Sequence, residues 1–292
     1  MKDEKTQPEG GTTEVFAPAK INLTLHVTGQ RADGYHLLDS LVMFADVGDR
    51  ITVRPAAQTS LSLTGPMADR TPVGDDNLVI RAARLMGVTA EITLDKHLPI
   101  AAGIGGGSTD AAATLRALSQ MAGKDIPQDV QGLGADALVC CAALKGAARM
   151  RGIGDRVESA PDLPELHAVL VNPNVPVVTA DVFRHLAKRD NAPMPEDLPR
   201  GCDASDLIAW LAEQRNDLQD AAIAAEPVIE QIFRALEVTP GCLLTRMTGS
   251  GATCFGLYAD AETAASAAGR LQESHSAWWV AATRLNAAQQ GA

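Results

Sequence analysis

Between Ile21 and Thr28 apolar and polar residues alternate without a break, with Ile21, Leu23, Leu25 and Val27 on one side and Asn22, Thr24, His26 and Thr28 on the other. A period of two belongs to an extended chain with one face covered, so this stretch predicts a half-buried strand. Shorter strand-like runs follow at 50–54, 60–64 and 90–94, parted by Gly, Pro and Asp clusters that favour turns. The spacing becomes helical over 78–86 and again over 107–121. In the second of these, Ser108 and Thr109 precede Ala111, Ala112, Ala113, Leu115 and Leu118, as capping hydroxyls precede a buried helical face.

The segment Ala160-Pro161-Asp162-Leu163-Pro164 interrupts both periods, and an apolar strand at 167–171 begins just after it. A domain boundary is therefore expected between 162 and 163, giving a first domain over 13–162, a second over 163–292 and a loose tail over 1–12. Helical spacing recurs at 180–187, 204–214 and 227–236, a proline-rich loop occupies 191–200, and strands are expected at 243–247, 253–258 and 278–284. A helix over 261–274 joins the last two strands. Alternating strands and helices predict an α/β first domain and an α+β second one. The chain shows no internal repeat.

Composition narrows the partners. The chain has 292 residues, 46% of them hydrophobic, enough for two packed domains. A formal charge of −11 disfavours extended binding to a phosphate backbone, so any phosphate site must be local. Five cysteines without a CxxC pair suit reduced thiols packed inside an intracellular protein. The opening MKDEKTQPEGG lacks the apolar centre of a secretory signal, and no stretch of 18 apolar residues occurs anywhere. A cytoplasmic protein without a membrane partner is expected.

Local chemistry is concentrated in four places. LPIAAGIGGGSTDAAA (Leu98–Ala113) sets four glycines in five positions directly before a helix. Glycines let successive N–H groups turn inward around an anion, and the helix N-terminus adds unpaired N–H groups and a favourable dipole. The segment lacks the lysine of a Walker loop, and a turn that merely permits tight packing is the competing explanation. A second cluster, Met247-Thr248-Gly249-Ser250-Gly251-Ala252-Thr253, reads alone as a hairpin turn, but two such loops could face each other across a cleft and close on a triphosphate. Lys20, at the mouth of the first strand, is either a surface charge or an ammonium aimed into a cleft. Asp136, between apolar neighbours, is either a buried structural carboxylate or a catalytic one.

FAPAKINLTL (16–25), LPIAAGIGGGSTDAAA (98–113) and MTGSGATCF (247–255) together resemble the three ordered motifs of the GHMP small-molecule kinases. TGQRADGYHLLDSL (28–41), DNL (76–78) and LGAD (133–136) make the likeness more specific, and it runs from about Val15 to the final strand. The resemblance implies a two-domain fold, a mixed α/β N-terminal domain and a ferredoxin-like α+β C-terminal domain, with the active site between them. It implies transfer of the ATP γ-phosphoryl group to the 2-hydroxyl of a cytidine-diphosphate-linked methylerythritol, a step of non-mevalonate isoprenoid precursor synthesis, with Mg2+ present. Lys20 and Asp136 match the catalytic pair. Pro99, Gly103, Gly105, Gly106, Gly107, Ser108, Thr109 and Asn77 match the ATP site, with the Ser108 hydroxyl near magnesium. Gly249, Ser250 and Gly251 match the loop from the opposite domain. Tyr35 and Phe183 would sandwich the cytosine while His36 reads its polar edge, and Asn22 and Thr179 match substrate-side positions.

The chain departs from the family pattern in having Ala137-Leu138 where a proline commonly stands two residues after the catalytic Asp, and Thr109 in place of a second serine. Lys145, Arg149 and Arg151 form a basic cluster, taken as a solvated edge. Two other readings compete: a related kinase of homoserine, mevalonate or a sugar, and a regulatory nucleotide-binding protein without catalysis. Intact Lys20 and Asp136 weigh against the latter. Oligomeric state is left open.

Overall fold

The computed structural model describes residues 11–134, 136–142 and 146–287. Most of the expected tail, together with Ala135 and Lys145, lies outside the described residues.

The first half is organised by one long strand. β1 (Thr13–Asn22) and β2 (His26–Gln30) both lie antiparallel to β3 (His36–Pro55), a 20-residue strand that also pairs β5 (Ala90–Asp95) and β6 (Ala148–Gly152). β4 (Ser60–Thr64) lies parallel to β5, and β7 (Arg156–Ser159) antiparallel to β6, so the sheet is mixed. α1 (Leu78–Met86) and α2 (Gly106–Ala122) cover it, with Val79, Ala82, Met86, Ala111, Leu115 and Leu118 buried against Ile51, Val53, Ile92 and Leu94. α1 starts where the Asn77 side chain accepts from the Val79 N–H and stops at Gly87, whose φ of 59° closes the helix as side-chain-bearing residues rarely can. A short α3 (Ala137–Ala142) follows Asp136.

The second half is β8 (Leu166–Asn172), α4 (Thr179–His185), α5 (Ala204–Ala212), α6 (Gln219–Ala225), α7 (Val228–Glu237), β9 (Leu244–Met247), β10 (Cys254–Tyr258), α8 (Ala261–Ser274) and β11 (Trp279–Leu285). Its strands neighbour one another in the order β11-β8-β10-β9, all antiparallel. With α7 and α8 as crossovers this is the βαββαβ ferredoxin-like arrangement. The halves share a core: Ile21, Leu23, Leu41 and Met43 pack with Leu166, Leu170, Leu207 and Phe255. β11 also meets β3 directly, Leu285 opposite Ala45, and Asp46 accepts from the Thr283 hydroxyl and the Arg284 N–H at 2.5 and 2.8 Å.

The strand expected over 21–28 is two strands. β1 ends at Asn22, Leu25 bridges to Asn216, and β2 begins at His26. Nor is it half-buried, since Asn22, Thr24 and His26 are as covered as their apolar neighbours. The polar side lies beneath the second half and is satisfied there: the Thr24 hydroxyl donates to Met194 Sδ and accepts from the Leu41 N–H at 2.9 Å. Alternation reports which residues share a side; it does not report that the polar side is wet.

Arg149 corrects a second expectation. It is buried, with Nε and Nη2 donating to Asp39 Oδ1 and Oδ2 at 2.8 and 2.7 Å. Its remaining donors reach the carbonyls of Met194, Pro195 and Glu196, and the Met194 N–H returns to Asp39 at 3.1 Å. The fork geometry of a guanidinium thus fastens the 191–200 loop to the sheet. Arg151 remains nearer solvent, paired with Glu196 at 2.7 Å. Removing one partner of a buried, hydrogen-bonded pair strands the other, so Arg149→Ala should cost about 3–5 kcal/mol. Urea unfolding should show this as a lower midpoint, whereas a solvated-edge residue would leave the midpoint unmoved.

Candidate active site

The phosphate-type loop is held by backbone contacts that only glycine permits. Gly103 has φ +74°, and a Cβ on it would lie 2.7 Å from the carbonyl oxygens of both Thr248 and Gly251. A Cβ on Gly249 would meet the Gly103 carbonyl more closely still. The two glycine clusters therefore touch each other rather than facing across a gap, which corrects the expected two-sided closure at this point. Further bonds fix the contact: the Thr253 N–H donates to the Ala102 carbonyl at 3.2 Å, and the Lys20 N–H to that of Ile104 at 2.9 Å.

Lys20 follows an irregularity in the pairing of β1 with β3, where the extra residues lie on β3. Pairing jumps from Pro18 opposite Gly48 to Lys20 opposite Phe44, a bulge next to a residue that has no N–H to give the ladder. The Lys20 side chain, 4% exposed, ends at Asp136 Oδ1 at 2.7 Å, while the Asp136 side chain is 24% exposed. The ammonium is thus enclosed and the carboxylate partly presented. A Cβ on Gly105 would stand 3.3 Å from the Lys20 Cβ and 3.4 Å from Asp136 Oδ2, so this glycine brings loop backbone against the pair.

Beside the pair is a cavity of about 560 Å³. It is lined by Gly103 and Gly105–Ser108 at the start of α2, by Asn77 and Pro99, by Gly249 and Ser250, and by Asn22, Thr179 and Phe183. Thr179 and Ser250 join their hydroxyls at 2.8 Å. Four expected site residues fall outside the lining. Thr109 turns its hydroxyl back to the Gly106 carbonyl at 2.9 Å, as a helix-start residue does. Gly251 faces inward, toward Met247 Sδ and Ile229. Tyr35 is 62% exposed on the turn before β3. His36 lies flat on Phe183, ring centroids 4.5 Å apart and planes 18° from parallel, so the imidazole occupies a face of Phe183 that was expected to hold a base. Burial holds the His36 pKa below its ordinary value, with Arg189 adding to the effect.

One buried cluster on the lining was missed in the sequence. Lys96 Nζ lies 2.5 Å from Asp49 Oδ2 and 2.8 Å from Asp110 Oδ2. Asp49 Oδ1 also accepts from the N–H groups of His97 and Leu98 at 2.6 and 2.8 Å, tying the loop's approach to β3. Burial works against the Lys96 charge, but the two carboxylates outweigh it and its pKa lies above the ordinary value. Two carboxylates share one cation here, and Asp110 Oδ1 has no partner among the described residues. Burial pushes the Asp110 carboxyl up to about 7 against the pull of Lys96, with the like charge of Asp49 adding to the rise. The available signal was a carboxylate inside the alanine run STDAAA, which a purely structural helix has little reason to carry.

Comparison with known proteins gives a consistent result. Residues 77–137 match the model described as GHMP kinases N terminal domain, and residues 202–277 that described as GHMP kinases C terminal. A Cereibacter sphaeroides protein named 4-diphosphocytidyl-2-C-methyl-D-erythritol kinase is 56% identical over 94% of this chain and 99% of its own length. A Dinoroseobacter shibae protein of the same name is 54% identical over 92% of this chain and 94% of its own. A crystal structure of 4-(cytidine 5'-diphospho)-2C-methyl-D-erythritol kinase superposes with a TM-score of 0.74 at 32% identity, covering 94% of this chain and 99% of that one. A homoserine kinase from Cytophaga hutchinsonii shares the fold, with a TM-score of 0.66 at 17% identity and coverage of 97% and 98%.

The buried triad carries a pH signature. The folded Asp110 carboxyl holds its proton to a higher pH than an unfolded one, which releases it near pH ~4, so the folded state loses stability as pH rises from about 4 to about 7. Asp110→Asn lacks this dependence. The melting temperature of the unsubstituted protein should fall relative to that of the variant as pH is raised through this window; parallel melting curves would contradict it.

Proposed function

The chain belongs to the GHMP kinase family, and on that premise we propose that it transfers the γ-phosphoryl group of ATP to the 2-hydroxyl of 4-diphosphocytidyl-2-C-methyl-D-erythritol. The observation that carries the reading is the Lys20–Asp136 pair, 2.7 Å apart against Gly105 at the head of α2. Phosphoryl transfer asks a protein mainly for positioning and charge stabilisation. Asp136, the more open partner, takes the proton of the attacking hydroxyl, while Lys20 holds its carboxylate in place and offsets negative charge gathering on the transferred group. The N–H groups of Gly106, Gly107 and Ser108 begin α2 and, unpaired within the helix, receive phosphate oxygens. Gly103, Gly105, Asn77 and Pro99 shape the remainder of the nucleotide side, with Gly249 and Ser250 on the lining beside Gly103.

Mg2+ suits this donor set. No group of three or more His, Cys, Asp or Glu side chains converges to hold a metal among the described residues, which agrees with an ion carried chiefly on phosphate oxygens and needing few protein ligands. Ser108 Oγ, kept clear by the missing side chain of Gly134, is the ligand we assign, and the bound ion would neutralise phosphate charge. On the acceptor side, Phe183 offers a ring for the cytosine, His36 its edge-reading nitrogen, Tyr35 a second ring brought in from the turn, and Thr179 and Asn22 polar contacts. Among the described residues no helix is long and apolar enough to cross a membrane. We take the protein to be cytoplasmic, with small-molecule partners and no nucleic acid, in keeping with its charge of −11. We place the division between the halves at 162/163, a position between the two matched stretches.

ADP release in the presence of ATP, magnesium and the cytidyl acceptor tests the substrate, with homoserine, mevalonate and galactose as controls. Release with the cytidyl acceptor alone is expected, and release only with a control would sink the assignment. Asp136→Ala should lower kcat by about 100- to 10,000-fold while calorimetric titration shows ATP still bound. Turnover near the unsubstituted rate would remove Asp136 from the role of base.

A further inference from the structure

Asn22 is buried at 3% exposure, lines the cavity, and follows Lys20 by two positions in β1, on the same side of the strand. Its backbone N–H is committed to the Thr248 hydroxyl at 2.8 Å. Its side chain makes one hydrogen bond among the described residues, to Ser40 Oγ at 2.8 Å, and Asn22 Oδ1 has no partner among them. An amide can present either its NH2 or its carbonyl to a neighbour, and the neighbour's chemistry decides which.

Here the neighbour has no freedom. Ser40 Oγ lies 2.5 Å from the carbonyl oxygen of Thr24. A carbonyl can only accept, so at that distance the single hydroxyl hydrogen of Ser40 must lie between the two oxygens. Ser40 then has only lone pairs left for Asn22, and the amide must turn Nδ2 toward it. The Thr24 hydroxyl cannot relax this arrangement, because it accepts from the Leu41 N–H and donates to Met194 Sδ. Oδ1 is left as a buried acceptor without a donor, a costly arrangement unless a ligand supplies one.

We infer that Ser40 is a positioning residue for the acceptor substrate: it fixes the Asn22 amide so that Oδ1 accepts a hydrogen bond from a polyol hydroxyl other than the one that reacts. The inference rests on the proposed reading of this cavity as a kinase site for a polyol-bearing acceptor. It makes Asn22 a detector of a hydroxyl donor, and a site built around a buried acceptor rejects an analogue lacking that donor far more sharply than an apolar pocket rejects a shape. Asn22 contacts the substrate; Ser40 acts only through it.

Steady-state kinetics on Ser40→Ala and Ser40→Thr, with ATP and acceptor varied separately, test this. Ser40→Ala should raise KM for the cytidyl acceptor by about tenfold and leave KM for ATP within about twofold, because a single oriented hydrogen bond is lost on one substrate only. Ser40→Thr keeps the hydroxyl and should restore the acceptor KM. Acceptor analogues with each non-reacting polyol hydroxyl replaced in turn by hydrogen supply a readout that a merely structural role would not move. One replacement should lower kcat/KM sharply in the unsubstituted enzyme and add little to the defect of Ser40→Ala. Equal rises in both KM values, an unchanged acceptor KM, or fully additive losses would overturn the inference. Ser40→Cys, with a weaker donor and acceptor, repeats the measurement should Ser40→Ala lack a cooperative melt. If the enzyme turns over a different polyol acceptor instead, the substrate assignment fails and the same comparisons with that acceptor still decide the role of Ser40.

Discussion

The close approach of two backbones is the constraint on which the site depends. Gly103 and the Thr248–Gly251 turn meet at distances that leave no room for a Cβ, and the Lys20 and Thr253 N–H groups bond carbonyls on the same loop. Three segments far apart in sequence thereby share one rigid junction. The first wide enough place for a ligand lies just beyond it, where Gly105–Gly107 pass Lys20 and Asp136. Of the glycines in these two clusters, some serve contact between loops and others serve the cavity, and sequence spacing alone does not separate the two uses.

Polar groups inside this core are paired in a way that sets direction as well as stability. Asp39 and Arg149 fasten a loop, Asp49 and Lys96 fasten the approach to α2, and Thr24 and Ser40 relay hydrogen bonds through the junction of β1 and β2. Each replaces water that the strand would otherwise need on its polar side. The long strand β3 carries Asp39, Ser40, Asp46 and Asp49, and so supplies most of these anchors.

Elements with strong local patterns were legible in the sequence. α1 and α8 run over the residues the helical spacing indicated, and β4 likewise. The ordered motifs and the family resemblance named Lys20 and Asp136 as a pair, and the structure brings the two together against Gly105. What could not be read depended on tertiary neighbours. Most of β3 was hidden because its buried Asp39, Ser40 and Asp49 resemble turn residues, and Arg149 passed for a surface charge until its three carbonyl partners were seen. Lys96 and Asp110 carry no signal as a pair, since only the return of the chain from β5 into α2 brings them together.

The stack of His36 on Phe183 alters how any flat ligand would be valued by this site. The protein already supplies a ring for that face, so an entering ring does not gain a stack outright but exchanges one partner for another. The attraction common to all planar rings largely cancels in such an exchange. What remains is whatever the newcomer's edge can do that an imidazole cannot, together with the freedom regained by the displaced side chain. For a ligand on that face, the hydrogen-bonding pattern of its edge counts for more than its flatness.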